Sequence, residues 1–306
     1  VYKRQANVVE SGYQVAFMAP TEILANQHYM FANKIFNKSN FKIDFLTGKT
    51  SYLERKKKIS ALKTNNTKTA IIFKSENGYK TSLTWEDLNS NVAQISNWLK
   101  YNGIKKGDRI AAYMPNIPET VVAYIGTSVI GGIWSSCSPD FGTTGVIDRF
   151  SQISPKILFI GNEYFYNGKK INILERLPEI LRKIPSIKKV VVIPYPGEKV
   201  VIKKNIKIDT YTWNELIILK NKKKNHYVMS NFNDPLAILY SSGTTGKPKC
   251  ICHGTGGVLL QHNKELQIHC DVKENDRVFY FTTCGWMMWN WLVGSLSAGD
   301  TILLFC

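Results

Sequence analysis

The chain has no uninterrupted run of about 18 apolar residues, the length a helix needs to cross a bilayer, so no membrane span is expected among its 306 residues. Its opening stretch, VYKRQANVVESGYQ, lacks the apolar core of a secretory leader. Cysteine is sparse: six thiols, at 137, 250, 252, 270, 284 and 306, are too scattered for a disulfide framework. That usage points to a reducing cytoplasm. Arginine is scarcer still, only 7 of the 40 basic residues. A net charge of +17 ordinarily suggests a nucleic-acid partner. Here the excess is lysine, in a chain also rich in Asn and Ile, which reads as compositional drift; surfaces that read phosphates lean on arginine forks. The densest run, LKNKKKNHY (219–227), reads as a solvated loop in preference to an anion site. No nucleic-acid partner is expected.

Metal-ligand spacing is also missing. Cys250-Ile251-Cys252-His253 is one C-x-C-H cluster without the second pair that a structural zinc site needs. Strand alternation puts Cys250 and Cys252 on one face, assigned to the core. His262 and His269 have no Glu-x-x-His context. No metal site is expected.

What is present is a β/α alternation and an apolar share of 44%, ordinary for a globular protein and enough for more than one core. Strands are expected at 13–18 and 41–46, with helices at 21–36, capped by Thr21, and at 52–63. Past TNNTK (64–68) the style changes. AIIF and YKTSLTW flank Asn77-Gly78, a hairpin signal. Thr84 and Asp87 have capping-box spacing and open a helix that ends at Gly103. Further strands are expected at 109–114, 156–161, 188–195, 235–240, 277–282 and 301–306. Helices are expected at 118–132, at 172–184 with an interruption at Pro178, around 256–269, and at 286–297. The pattern predicts parallel-rich α/β sheets covered by helices on both faces.

One stretch concentrates chemistry. In YSSGTTGKPK (240–249), Ser241, Ser242, Thr244, Thr245, Lys247 and Lys249 surround Gly243 and Gly246. A Walker P-loop would need four residues between its glycines and a hydroxyl after the lysine. Here the glycines are too close, Pro248 follows Lys247, and KCICHG beyond looks extended. A tight turn between strands would need far fewer hydroxyls. The remaining reading is a loop that wraps a triphosphate. Its glycines would allow close approach, its hydroxyls and N–H groups would donate, and its lysine would supply charge.

That loop resembles the signature loop of the adenylate-forming acyl-CoA synthetase superfamily. RIAAYMPNIPETVVAYIGTSVIGGIWSSCSPDFGTTGVIDRFSQISPKILF (109–159), HGTGGVLLQHNKELQIHCD and TTCGWMMWNWLVG extend the resemblance over roughly 66–305, towards its acetoacetate-activating branch. SSCSPDFG and GWMMWN set it apart from members that activate acetate. The resemblance implies an ATP-dependent acid–thiol ligase. A short acyl acid would attack the α-phosphorus of ATP, and the thiol of coenzyme A would then displace AMP, with Mg2+ as the metal. It implies that Ser241, Ser242, Gly243, Thr244, Thr245, Gly246 and Lys247 hold the phosphates. Trp286, Met287, Met288 and Trp289 would shape the acyl pocket, where the residues alone suggest a helix burying Trp286, Met287 and Trp289. Lys169, otherwise a solvated turn residue, would meet the phosphates of coenzyme A.

The first sixty-five residues resemble another family. ESGYQVAFMAPTEILANQHYMFANKIF and FKIDFLTGKTSYLERKKKISALK are similar to RecG-type ATP-dependent DNA helicases, without that motor's nucleotide loop or acidic motif. The expected organisation is a βαβα helicase-like fragment over 1–65, joined near 64–68 to a truncated adenylate-forming large domain over 66–306. A chimeric reading frame explains that better than a bifunctional protein. TILLFC is expected to end the chain as an unpaired strand. The superfamily's Tyr-Gly-x-Thr-Glu segment and its C-terminal lysine have no counterpart up to Cys306, so residues 1–306 should give no acetoacetate-dependent pyrophosphate release. A coupled pyrophosphate assay that detects release would overturn this expectation.

Overall fold

The computed structural model describes residues 2, 6, 9, 15–37, 39, 41, 43–55, 69–197, 208–217, 227–241 and 246–306. The Thr21 hydroxyl accepts from the Leu24 N–H and starts helix α1 (Glu22–Ile35), as a side-chain cap should. The flanking segments 13–18 and 41–46 are not strands in their described residues. A strand needs a ladder partner for its backbone groups, and none lies alongside. Val15 instead packs against Ile72, Phe279, Leu303 and Phe305. Tyr52–Arg55 is helical, and the rest of the helix expected at 52–63 lies outside the described residues. Among the described residues of the expected βαβα segment there are helical stretches and no strand. Of the lysine-rich run 219–227, only Tyr227 is described.

From Thr69 onward the expected order holds. Gly78 takes φ +87° in the hairpin of β1 (Thr69–Lys74) and β2 (Lys80–Thr84). Thr84 and Asp87 close a reciprocal capping box on α2 (Trp85–Tyr101). Then come β3 (Arg109–Tyr113), α3 (Pro118–Val129), β4 (Ile133–Cys137), α4 (Thr143–Phe150) and β5 (Ile157–Gly161). A small hairpin follows, β6 (Glu163–Tyr166) and β7 (Lys169–Asn172). Pro178 stands in the first turn of α5 (Leu177–Lys183) after a short 3₁₀ turn. It opens that helix instead of interrupting one, because an N-terminal position needs no N–H from it. The chain continues through β8 (Lys189–Ile193), β9 (Asp209–Thr212), α6 (Trp213–Ile217), β10 (Pro235–Tyr240), β11 (Cys250–Gly254) and α7 (Thr255–Asn263). After β12 (Arg277–Phe279) come α8 (Met287–Gly294) and β13 (Thr301–Phe305).

Two main sheets result. One has seven strands in the order β11-β10-β4-β3-β5-β8-β9, and the other four in the order β12-β13-β1-β2. In the first, β10 through β9 run parallel and only β11 is antiparallel, at the edge. β13, expected unpaired, instead lies between β12 and β1, parallel to both. One core spans both sheets and their helices, with Trp134, Phe159, Ile71 and Leu99 fully buried. Helices α2 and α3 meet at Gly126, where an added Cβ would sit 2.8 Å from Ile95 Cγ2.

Asp300, just before β13, has no exposed surface. Ser295 donates to its Oδ2 at 2.8 Å, and Oδ1 is buried without a partner. Burial pushes this carboxyl up to about 7. Its contribution to stability is therefore full below the ordinary carboxylate range, around pH 4, and is lost as pH rises through about 7. Asp300→Asn should flatten the decline across that window. Urea denaturation at stepped pH checks it, and an unchanged slope would overturn the assignment.

Candidate active site

Chain order reverses around β3, with β4 on one side of it and β5 on the other. Open parallel sheets gather ligands at the carboxyl ends of strands beside such a reversal. Three connections leave the sheet there: 114–117 after β3, 138–142 after β4, and 241–249 after β10.

The 241–249 loop closes the antiparallel hairpin of β10 and β11, in which Tyr240 pairs with Cys250. The Ser241 N–H donates to the Lys249 carbonyl at 3.0 Å. Gly246 has φ +94° with open space around it, a backbone that only glycine adopts without strain. Lys247 Nζ lies 3.8 Å from Asp148 Oδ1 of α4. The Gln152 amide donates to the Pro248 carbonyl at 2.9 Å. The loop's second arm thus rests on α4 and the turn after it. Ser242, Gly243, Thr244 and Thr245 lie outside the described residues. Lys247 is 72% exposed along its side chain, so it remains open to a ligand.

The 138–142 turn is held from the opposite side. Arg176 Nη1 donates to the Tyr113 hydroxyl and to the carbonyls of Pro139 and Phe141 at 3.1 and 3.2 Å. The Tyr113 hydroxyl itself donates to the Phe141 carbonyl at 2.6 Å. Phe141 is pinned on its ring side by Gly285, where a Cβ would stand 2.6 Å from the Phe141 ring. The Arg149 guanidinium lies over that ring, 4.1 Å from its centroid.

The segment 282–290 arrives from the four-stranded sheet and is stitched to the seven-stranded one. The Ser136 hydroxyl donates to the Cys284 carbonyl at 2.6 Å, and the Asn116 amide to the Thr282 carbonyl at 3.4 Å. Trp289 Nε1–H donates to Asn116 Oδ1 at 2.9 Å. The four expected acyl-pocket residues divide. Trp286 and Met287 are exposed at the start of α8, Met288 is half-buried, and Trp289 is fully buried against Tyr124 and Trp134. The helix expected to bury Trp286 and Met287 is corrected accordingly: its buried residues begin at Trp289, and its first turn faces outward.

Lys169 is exposed at the start of β7. Cys250 and Cys252 share a face of β11 as expected, but both are exposed and not core. β11 is the edge strand of its sheet, and its first three residues are exposed. Among the described residues, no group of three or more His, Cys, Asp or Glu could hold a metal ion. Arg149, Arg176, Asn116 and Phe141 were missed by sequence reasoning. The one available signal was arginine's rarity in this chain.

A family model described as AMP-binding enzyme matches residues 59–305. The acetoacetyl-coenzyme A synthetase of Rhizobium meliloti (strain 1021) is 42% identical over 236 residues, 77% of this chain and 36% of the relative. The acetoacetyl-CoA synthetase of Gallus gallus is 44% identical over 227 residues, 73% of this chain and 34% of the relative. The chain thus spans about a third of the length of these curated relatives. Among solved structures, an acetoacetyl-CoA synthetase from Streptomyces lividans aligns with TM-score 0.73 and 32% identity, covering 100% of this chain and 49% of the other.

Arg176→Met keeps the apolar stem and deletes the donors that hold the 138–142 turn. It should lower stability by about 1.5–3 kcal/mol and speed amide exchange across 138–142. Chemical denaturation with hydrogen-exchange mass spectrometry checks this, and unchanged exchange there would remove the clamp from the account.

Proposed function

The chain belongs to the AMP-binding enzyme family, and from that premise we propose that it serves an AMP-forming acid–thiol ligase acting on acetoacetate or a similar short acyl acid. The observation that carries this reading is the hydroxyl-rich loop 241–249, hung from the carboxyl end of β10 beside the 138–142 turn. In the proposed reaction the acid's carboxylate attacks the α-phosphorus of ATP, giving acyl-AMP and pyrophosphate. The thiol of coenzyme A then attacks the acyl carbon and AMP departs.

The loop's part is electrostatic. Charge grows on the departing pyrophosphate, and donors already fixed there lower the barrier without reorganising. Ser241, Ser242, Thr244, Thr245 and Lys247 are the proposed donors, with Gly243 and Gly246 admitting the phosphates to the backbone. Trp286, Met287 and Met288 are the proposed acyl contacts, supported by their position at the mouth formed by Gly285 and Phe141. Trp289 acts from behind, through its bond to Asn116. Lys169 is proposed to meet the phosphates of coenzyme A. Mg2+ would supply charge neutralisation in this reaction; the described residues offer no cluster for it, and no step here is routed through it.

Two further elements belong to the proposal. The adenylate-forming unit is placed at 66–306, with 1–65 as a separate helicase-like piece, supported by β1 beginning at Thr69. The cytoplasm is the proposed compartment, supported by six free thiols.

Equilibrium dialysis with ATP and filter binding with duplex DNA test the reading. ATP should bind, and Lys247→Ala should weaken it about tenfold or more. In any adenylating form of the protein the same variant should cost about 10²-fold in pyrophosphate exchange. Binding of DNA without ATP would replace the ligase reading with a nucleic-acid one.

A further inference from the structure

Arg149 carries a charge that its surroundings leave unanswered. It sits near the end of α4, half-buried, with its guanidinium 4.1 Å from the Phe141 ring centroid and 5.8 Å from that of Tyr240. Tyr240 is the last residue before the 241–249 loop. A guanidinium has five N–H donors in a planar fork. Among the described residues it makes one hydrogen bond, from Nη1 to the Gly145 carbonyl of its own helix at 2.8 Å. Gly145 leaves room for it: an added Cβ would stand 3.4 Å from that nitrogen.

Among the described residues no carboxylate pairs with it. Its neighbour Asp148 faces Lys247, and Asp140 accepts from the Ser138 hydroxyl at 2.9 Å. The titratable groups that feel its charge are the Cys137 thiol and the Tyr240 phenol, and burial raises both so that neither is ionised at neutral pH. A partly desolvated cation with an unused fork is costly unless an anion completes it. Ring stacking fixes the plane of the fork in advance, which lowers the ordering cost when an anion arrives.

We propose that Arg149 is a phosphate-binding residue beside the 241–249 loop, its fork taking oxygens of the pyrophosphate portion of the nucleotide next to Lys247, which meets Asp148 of the same helix. The inference rests on the ligase reading above.

The test is isothermal titration of the full chain with inorganic pyrophosphate at fixed salt, for wild type, Lys247→Ala, Arg149→Lys and Arg149→Met. Wild type should bind. Arg149→Lys keeps charge but loses the fork and should weaken binding about tenfold, and Arg149→Met at least as much. Thermal denaturation of each variant confirms that it is folded, and Arg149→Lys keeps the test open if Arg149→Met unfolds. Wild-type affinity in Arg149→Lys overturns the inference. If wild type binds, Lys247→Ala weakens binding and both Arg149 variants match wild type, the inference fails and the ligase reading stands. If wild type binds no pyrophosphate, both fall together.

Discussion

Three hydrogen bonds bring the two sheets of this molecule to a common edge. Asn116 donates to Thr282 and accepts from Trp289, and Ser136 donates to the carbonyl of Cys284. All of these groups are buried, where an unmade hydrogen bond costs the full desolvation of the group left behind. The segment carrying Trp286 and Met287 therefore has one low-energy position relative to the ends of β3 and β4. The Ser138–Phe141 turn is fixed against that segment through Gly285, and the strand that feeds the hydroxyl-rich loop is fixed against the turn through Arg149 and Tyr240. The proposed acyl contacts and the proposed phosphate contacts follow strands of different sheets. Without the stitching at Asn116 and Ser136 their separation would rest more on apolar packing, which is less directional, with the Tyr195–Cys306 bond remaining.

Much of this was legible in the sequence because local chemistry decided it. The Asn77-Gly78 turn, the Thr84 cap and the apolar runs at 109–113 and 189–193 each had one good structural solution, and the structure uses it. The extended runs on either side of the hydroxyl-rich stretch were readable for the same reason, and they form β10 and β11. Where the outcome depended on a distant partner, sequence reasoning went astray. Segments 13–18 and 41–46 have strand composition, yet a strand exists only beside another strand. Cys250 and Cys252 alternate like core residues, but β11 is at a sheet edge and both thiols are exposed. Arg176 and Arg149 carry no local signal, since their roles come from carbonyls and rings that are far along the chain.

The site also separates two kinds of rigidity. The turn at 138–142 is over-determined, held by Arg176, Tyr113 and Gly285. Among its described residues, the loop at 241–249 is tied at Ser241–Lys249, Pro248–Gln152 and, more loosely, Lys247–Asp148. A fixed wall beside a tethered loop suits a reaction whose leaving group must be gripped and then let go.

The placement of β13 bears on how the chain reaches this state. Thr301 Oγ1 donates to the carbonyl of Thr69 at 2.6 Å across 232 residues of sequence. β1 is the first strand of the structure, and its parallel neighbour is the last. The four-stranded sheet therefore cannot assemble until the chain has been made through β13, more than 200 residues beyond β1. Until then the β1–β2 hairpin waits with one edge unsatisfied. Such distant pairing makes for slow folding, and it makes the open edge of β1 the place where a nascent chain would most easily meet a chaperone, or another copy of itself.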